Sequence, residues 1–147
     1  MTVLIDTGVL YADHDLDASR HEAAERALTA VFDGEYGQPY LTDYIFDEAV
    51  TVTLARTGSH EAAVSLGRRL RGVGEYPPVY ELLPVDRATF DDALDIFEMY
   101  DDQGLSFTDA TSVAVCERAG LDRVLSFDDD FDGVLDRLDP VDASGCD

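Results

Sequence analysis

The chain has 147 residues, of which 10 are Arg, none is Lys and 32 are Asp or Glu, for a formal net charge of −22. That length suits one compact domain with a substantial core and argues against two. With 46% hydrophobic and 10% aromatic residues, the chain is too apolar for a solvated acidic tail. No apolar run approaches the roughly 18 residues of a membrane helix, and no charged-then-apolar leader precedes Asp6. Two cysteines, Cys116 and Cys146, are too few for a disulfide framework. A cytoplasmic protein with no membrane partner is expected. So acidic a surface repels itself in dilute buffer, but about 1 M salt shortens the screening length to roughly 3 Å. The charge is therefore read as adaptation to a salty interior, with a basic partner or ordinary compositional drift as the alternatives. Under the first reading it does not exclude nucleic acid.

Thr2–Ile5 is a short apolar, β-branched run that ends abruptly at Asp6-Thr7-Gly8, the pattern of a buried parallel strand. Ser19 to Phe32 places Ala23, Ala27, Leu28 and Val31 at helical spacing and closes at Gly34. A second strand is expected around Pro39-Tyr40-Leu41, then helices over Thr42–Arg56 and Ser59–Leu70 and a connector from Gly72 to Pro78. Val79–Val85 reads as a third strand, Arg87–Tyr100 and Thr108–Ala119 as helices, and Arg123–Ser126 as a last strand before an acidic turn. Strands alternating with helices imply parallel crossovers, hence an α/β fold: a three-layer α/β/α sandwich around a central parallel sheet. The expected organisation is a single domain over 1–140 and a short tail over 141–147.

Open parallel sheets bind ligands at the carboxyl ends of their strands. Asp6 directly follows the first strand, and Asp128 lies two residues beyond Ser126. Taken alone, each is also a loop carboxylate able to cap a helix. Glu48 is more informative. Ile45, Glu48, Ala49 and Val52 fall at i, i+3, i+4 and i+7, so Glu48 lies on the stripe facing the core, while Asp47 points elsewhere. Asp109 opens the Thr108–Ala119 helix in a capping-box pattern with Ser106, yet it shares a face with Val113 and Cys116. Four carboxylates at one mouth of one sheet repel one another unless a hard divalent cation holds them. All-oxygen ligation suits Mg²⁺ or Mn²⁺. Such a centre polarises a phosphoryl oxygen and lowers the pKa of water, as phosphodiester hydrolysis requires.

The segments Leu4-Ile5-Asp6-Thr7-Gly8-Val9-Leu10, Asp43-Tyr44-Ile45-Phe46-Asp47-Glu48-Ala49, Ser106-Phe107-Thr108-Asp109-Ala110 and Val124-Leu125-Ser126-Phe127-Asp128-Asp129-Asp130-Phe131 occur in that order. Together they resemble the PIN-domain family, and within it most closely the VapC-type toxins of type II toxin–antitoxin pairs. The resemblance covers Thr2 to about Leu138. It implies a Mg²⁺- or Mn²⁺-dependent endoribonuclease acting on RNA, usually a homodimer, held silent by a cognate antitoxin. Carried over by position, Asp6 and Asp109 are the principal metal ligands, Glu48 completes the pocket and Asp128 is the fourth acid. Asp130 is its competitor for that role, and Thr7 and Ser126 assist by hydrogen bonding. Ser126 departs from the family's usual Thr.

Rival readings fare worse. Asp128-x-Asp130-x-Asp132-Gly133 matches part of a calcium loop, but its last ligand position is Asp139 and Pro140 follows. A haloacid-dehalogenase-like phosphatase needs Asp where Gly8 stands, and a phospho-receiver needs a pocket Lys. Cys116 reads as a small core residue, and His14, His21 and His60 as exposed. A degenerate, purely protein-binding PIN-like module and a housekeeping RNA-processing nuclease are the functional alternatives. The one basic cluster, Arg68, Arg69 and Arg71, reads as a substrate-steering patch or as a helix end favouring positive charge.

Overall fold

A computed structural model describes residues 1–144 of the chain. The elements run β1 (Thr2–Ile5), α1 (Thr7–His14), α2 (His21–Phe32), β2 (Gln38–Thr42), α3 (Asp43–Thr57), α4 (His60–Arg71), β3 (Glu81–Leu83), α5 (Arg87–Met99), α6 (Phe107–Ala119), β4 (Arg123–Leu125), β5 (Arg137–Leu138) and α7 (Pro140–Ser144). The strands form one sheet of order β3-β2-β1-β4-β5, and each pairing is parallel. Helices cover both faces, giving the expected three-layer sandwich. Val3, Leu4 and Ile5 are entirely buried at its centre, with Leu41, Val124 and Leu125 from the flanking strands. A strand covered on both faces has no polar side, which is why these runs are apolar without alternation.

Several elements differ from their expected form. Helix α1 carries no periodic signal because Thr7, Val9, Leu10, Ala12 and Asp13 are all buried, so no polar face marks its turn. The third strand shrinks from Val79–Val85 to three residues at the sheet edge, where Leu82 remains 48% exposed. Residues 140–144, largely expected to begin a tail, form α7, which packs on α2 and buries Ala143. Residues 145–147, with Cys146 among them, lie outside the described residues. Cys116 is buried in the core, and burial pushes its thiol up to about 12, as an inert packing residue requires.

Two histidines are not exposed as expected. The His14 ring contacts the Ala62 carbonyl at 3.1 Å and Arg69 at 3.4 Å, while His21 Nδ1 lies 2.9 Å from the Ala12 carbonyl. His60 is exposed at the start of α4. Nor does the acidic turn form a calcium loop. It follows a strand, coils into one 3₁₀ turn at Asp129–Phe131, and turns Asp132 toward Arg137 in a two-pronged ion pair of 2.8 and 3.2 Å.

Candidate active site

The strand order reverses direction about β1. The crossover through α1 and α2 carries the chain to β2 on one side, whereas β4 pairs on the other. The crevice between the carboxyl ends of β1 and β4 is the topological switch point, where parallel sheets open to ligands. Asp6 leaves β1 there, and Ser126-Phe127-Asp128 leaves β4 beside it. The Asp6 amide donates to the Leu125 carbonyl at 3.0 Å, extending the β1–β4 ladder up to the site.

Asp6 occupies the N-cap position of α1 but does not cap it with its side chain. Its Oδ2 instead accepts a 2.6 Å hydrogen bond from the Ser126 hydroxyl, whose oxygen in turn accepts from the Asp128 amide at 2.9 Å. Asp109 does both things foreseen for it. It completes a capping box with Ser106, each side chain accepting from the other's amide at 3.0 to 3.1 Å, and it is 8% exposed at the mouth of the same crevice. Glu48 is half-buried and enters from α3, while Asp47 is exposed to solvent.

Asp6, Glu48, Asp109 and Asp128 thus line one open cavity of about 870 Å³, joined by Asp129. Asp130 is not among the lining residues. Its neighbour is Gly104, whose φ of +78° and approach to the Asp130 carboxylate leave little room for a side chain, a Cβ there lying 3.1 Å from Asp130 Oδ2.

Among the described residues, none of the four acids lies within ion-pair distance of an Arg or His. No direct ion pair therefore offsets their mutual repulsion. Burial pushes the Asp6 carboxyl up to about 7; the charges of Asp109 and Glu48 add to the rise and the Ser126 hydrogen bond opposes it. Burial likewise raises Asp109 to about 6, assisted by the charges of Asp128 and Glu48 and resisted by the Ser106 amide. The Thr7 hydroxyl lines the same cavity, buried and without a hydrogen-bond partner. Buried or half-buried carboxylates without an ion-pair partner, beside an orphaned hydroxyl, are chemically suited to a hard cation such as Mg²⁺ or Mn²⁺, and Asp128, Asp129 and Asp130 bring one oxygen each to within 4.8 Å of one another at the same end of the sheet.

The PIN domain model matches residues 3–135, nearly the whole chain. The chain belongs to the PIN-domain family. This PIN domain is similar to VapC20 of Mycobacterium tuberculosis, described as a sarcin–ricin loop cleaving toxin, at 25% identity and a TM-score of 0.76 over 88% of this chain and 92% of that one. It shares its fold with FitAcB of Neisseria gonorrhoeae (17% identity, TM-score 0.66, 94% and 97% covered). It does so too with VapBC2 of Rickettsia felis, solved on a promoter DNA fragment (8% identity, TM-score 0.68, 94% and 98% covered). No curated protein matches the chain in sequence.

Tyr11, Arg20 and Arg56 are among the cavity-lining residues that the sequence did not single out, and Phe127, quoted only as part of a motif, lines it too. Arg56 was within reach, because it follows Glu48 and Val52 at successive four-residue steps along α3. The expected basic cluster lies elsewhere. Arg69 pairs with buried Asp13 at 2.9 Å, Arg71 donates to the Gly67 carbonyl at 3.3 Å, and none of the three arginines lines the cavity. All three fall in the last turn of α4, where positive charge complements the free carbonyls.

Proposed function

We propose that this PIN domain is a divalent-metal-dependent endoribonuclease, the toxin of a type II toxin–antitoxin pair, in which Asp6, Glu48, Asp109 and Asp128 form the catalytic and metal-binding set. The observation that supports it most strongly is the convergence of those four unpaired carboxylates, from four separate elements, on the switch point of one sheet. Asp6 and Asp109 are the principal ligands of Mg²⁺ or Mn²⁺, Glu48 closes the pocket from α3, and Asp128 is preferred to Asp130 because it lines the cavity. When bound, the cation supplies Lewis acidity for a phosphoryl oxygen and makes water more acidic.

The chain's own part is orientation. The Ser126 hydroxyl and the Ser106 amide each hold one carboxylate in place, so little reorganisation is needed at either oxygen. Asp6 and Asp109 take up protons near neutral pH when no cation neutralises them, and must lose these before they can act as ligands.

The structural relatives include complexes of a toxin with its antitoxin, which supports an antitoxin partner for this chain. A homodimer would also cover Leu94, Phe97 and Met99 on α5, which are 40%, 44% and 67% exposed. No helix among the described residues is long and apolar enough to cross a membrane.

The deciding experiment is incubation of the protein with total cellular RNA in concentrated KCl, with and without Mn²⁺, beside Asp6→Asn. Cleavage that needs both Mn²⁺ and Asp6 is expected. Cleavage that survives the substitution would defeat the proposal, and so would no cleavage at all.

A further inference from the structure

In a chain with 32 carboxylates, six of the ten arginines are ion-paired among the described residues: Arg26, Arg69, Arg87, Arg118, Arg123 and Arg137. Arg20 and Arg56 are not, although both line the cavity that holds five acids. Each is braced by an aromatic ring instead. The Arg20 guanidinium carbon lies 4.8 Å from the centre of the Phe127 ring, and that of Arg56 lies 5.2 Å from the centre of Tyr11.

A guanidinium held against a ring by cation–π attraction is restrained in place and still carries N–H groups able to donate to an anion. Both rings are themselves anchored near the acids. Phe127 stands between Ser126 and Asp128, and Tyr11 lies on the helix that Asp6 begins, its hydroxyl donating to Asp15. Arg56 stands two helical turns, about 12 Å, along α3 from Glu48. The cavity therefore offers two ring-held guanidinium groups together with acidic side chains suited to a cation.

We propose that Arg20 and Arg56 are phosphate-positioning residues that grip the RNA backbone on either side of the bond being cut, an inference that rests on the ribonuclease reading above. A ligand that satisfies all three points must be anionic at each of them in succession. A phosphodiester strand has that character, and its phosphate oxygens match the planar fork of Arg. Ring bracing also explains how the grip persists in concentrated salt, because stacking does not depend on long-range attraction, which salt screens.

The test measures Mn²⁺-dependent cleavage of total cellular RNA at sub-saturating and saturating RNA, for wild type, Arg20→Gln, Arg56→Gln, Arg20→Lys and Arg56→Lys. Arg68→Gln, an exposed arginine away from the cavity, serves as the charge-matched control. Each Gln substitution is expected to raise the apparent KM about tenfold while changing kcat less than twofold, and each Lys substitution to recover part of the loss. The Mn²⁺-induced rise in melting temperature should be the same in all five, showing the carboxylate site intact. Unchanged kinetics in both Gln variants would overturn the proposal and leave the nuclease reading standing. An equal effect of Arg68→Gln would also overturn it, as a matter of net charge alone. Unchanged kinetics with weakened retention of a co-produced antitoxin would assign the pair to a protein partner instead. Wild-type cleavage that is absent, or that survives Asp6→Asn, would remove both readings together.

Discussion

The hydroxyl of Ser126 and the carboxylate of Asp6 are 120 residues apart in sequence and 2.6 Å apart in space, in a hydrogen bond that is fully buried. One short side chain on β4's exit thereby holds an oxygen of the acid on β1's exit and opposes part of the rise that burial causes in its carboxyl. Ser126→Ala removes the donor to Asp6 and the acceptor of the Asp128 amide together. We expect it to fold with a loss of about 1–2 kcal/mol and to bind Mn²⁺ at least tenfold more weakly. Ser126→Thr, which keeps the hydroxyl, should retain wild-type Mn²⁺ affinity. Calorimetric titration of the three proteins checks both outcomes.

The raised carboxyls make metal-free stability depend on pH with a definite sign. Asp6 and Asp109 stand at about 7 and about 6 in the folded chain against 3.8 when unfolded. Between those values the folded state binds more protons, so stability is fullest below pH 4 and falls as pH rises through 6 and 7. The difference between wild type and the Asp6→Asn/Asp109→Asn double variant isolates this part from the rest of the acidic surface. The double variant should lack the decline and, above pH 7, should melt higher than metal-free wild type. Parallel melting curves from pH 4 to pH 8 would refute the assignment.

Screening and specific binding separate in concentrated KCl. In dilute buffer a chain of net charge −22 is expected to unfold or expand, and to fold as monovalent salt approaches about 1 M. Once screening is saturated, Mn²⁺ should still stabilise wild type, by about 2.7 kcal/mol at a hundred times its Kd, and should not stabilise the double variant. Equal shifts in the two proteins would show that divalent ions act only by screening.

Arg69 distinguishes structure from substrate steering within the basic cluster. Asp13 is buried beneath it, and burial holds the Asp13 carboxyl above its usual range while Arg69 pulls it back. Arg69→Ala leaves that acid unpaired and is expected to cost about 3 kcal/mol. Arg68→Ala, exposed and unpaired among the described residues, should be near neutral. Denaturant unfolding in concentrated KCl measures both.

The sheet and its acids were legible because buried parallel strands and their carboxyl ends leave strong local marks. Val3-Leu4-Ile5 followed by Asp6 is one, and the placement of Glu48 on the stripe of Ile45 and Val52 is another. Helix α1 was not legible, since periodicity needs a polar face and residues 7–14 have little of one. Strand β5 is two residues long, too short for any pattern, and depends on pairing with β4. The positions of the arginines were hidden for a different reason. Whether an Arg meets a carboxylate or an aromatic ring is decided by tertiary neighbours: Arg69 found Asp13 on another helix, whereas Arg20 found Phe127. Composition suggested the cluster near Arg69; only the fold showed which cations remain free.

The β1–β4 pairing has a mechanical consequence. Because Asp6 and Asp128 stand at the ends of two adjacent strands that are distant in the chain, any event that parts those strands dismantles the pocket at once. A cation held between them would act as a rivet through the middle of the sheet. Parting the strands would then also release the cation, and a molecule opened there no longer holds the carboxylates together.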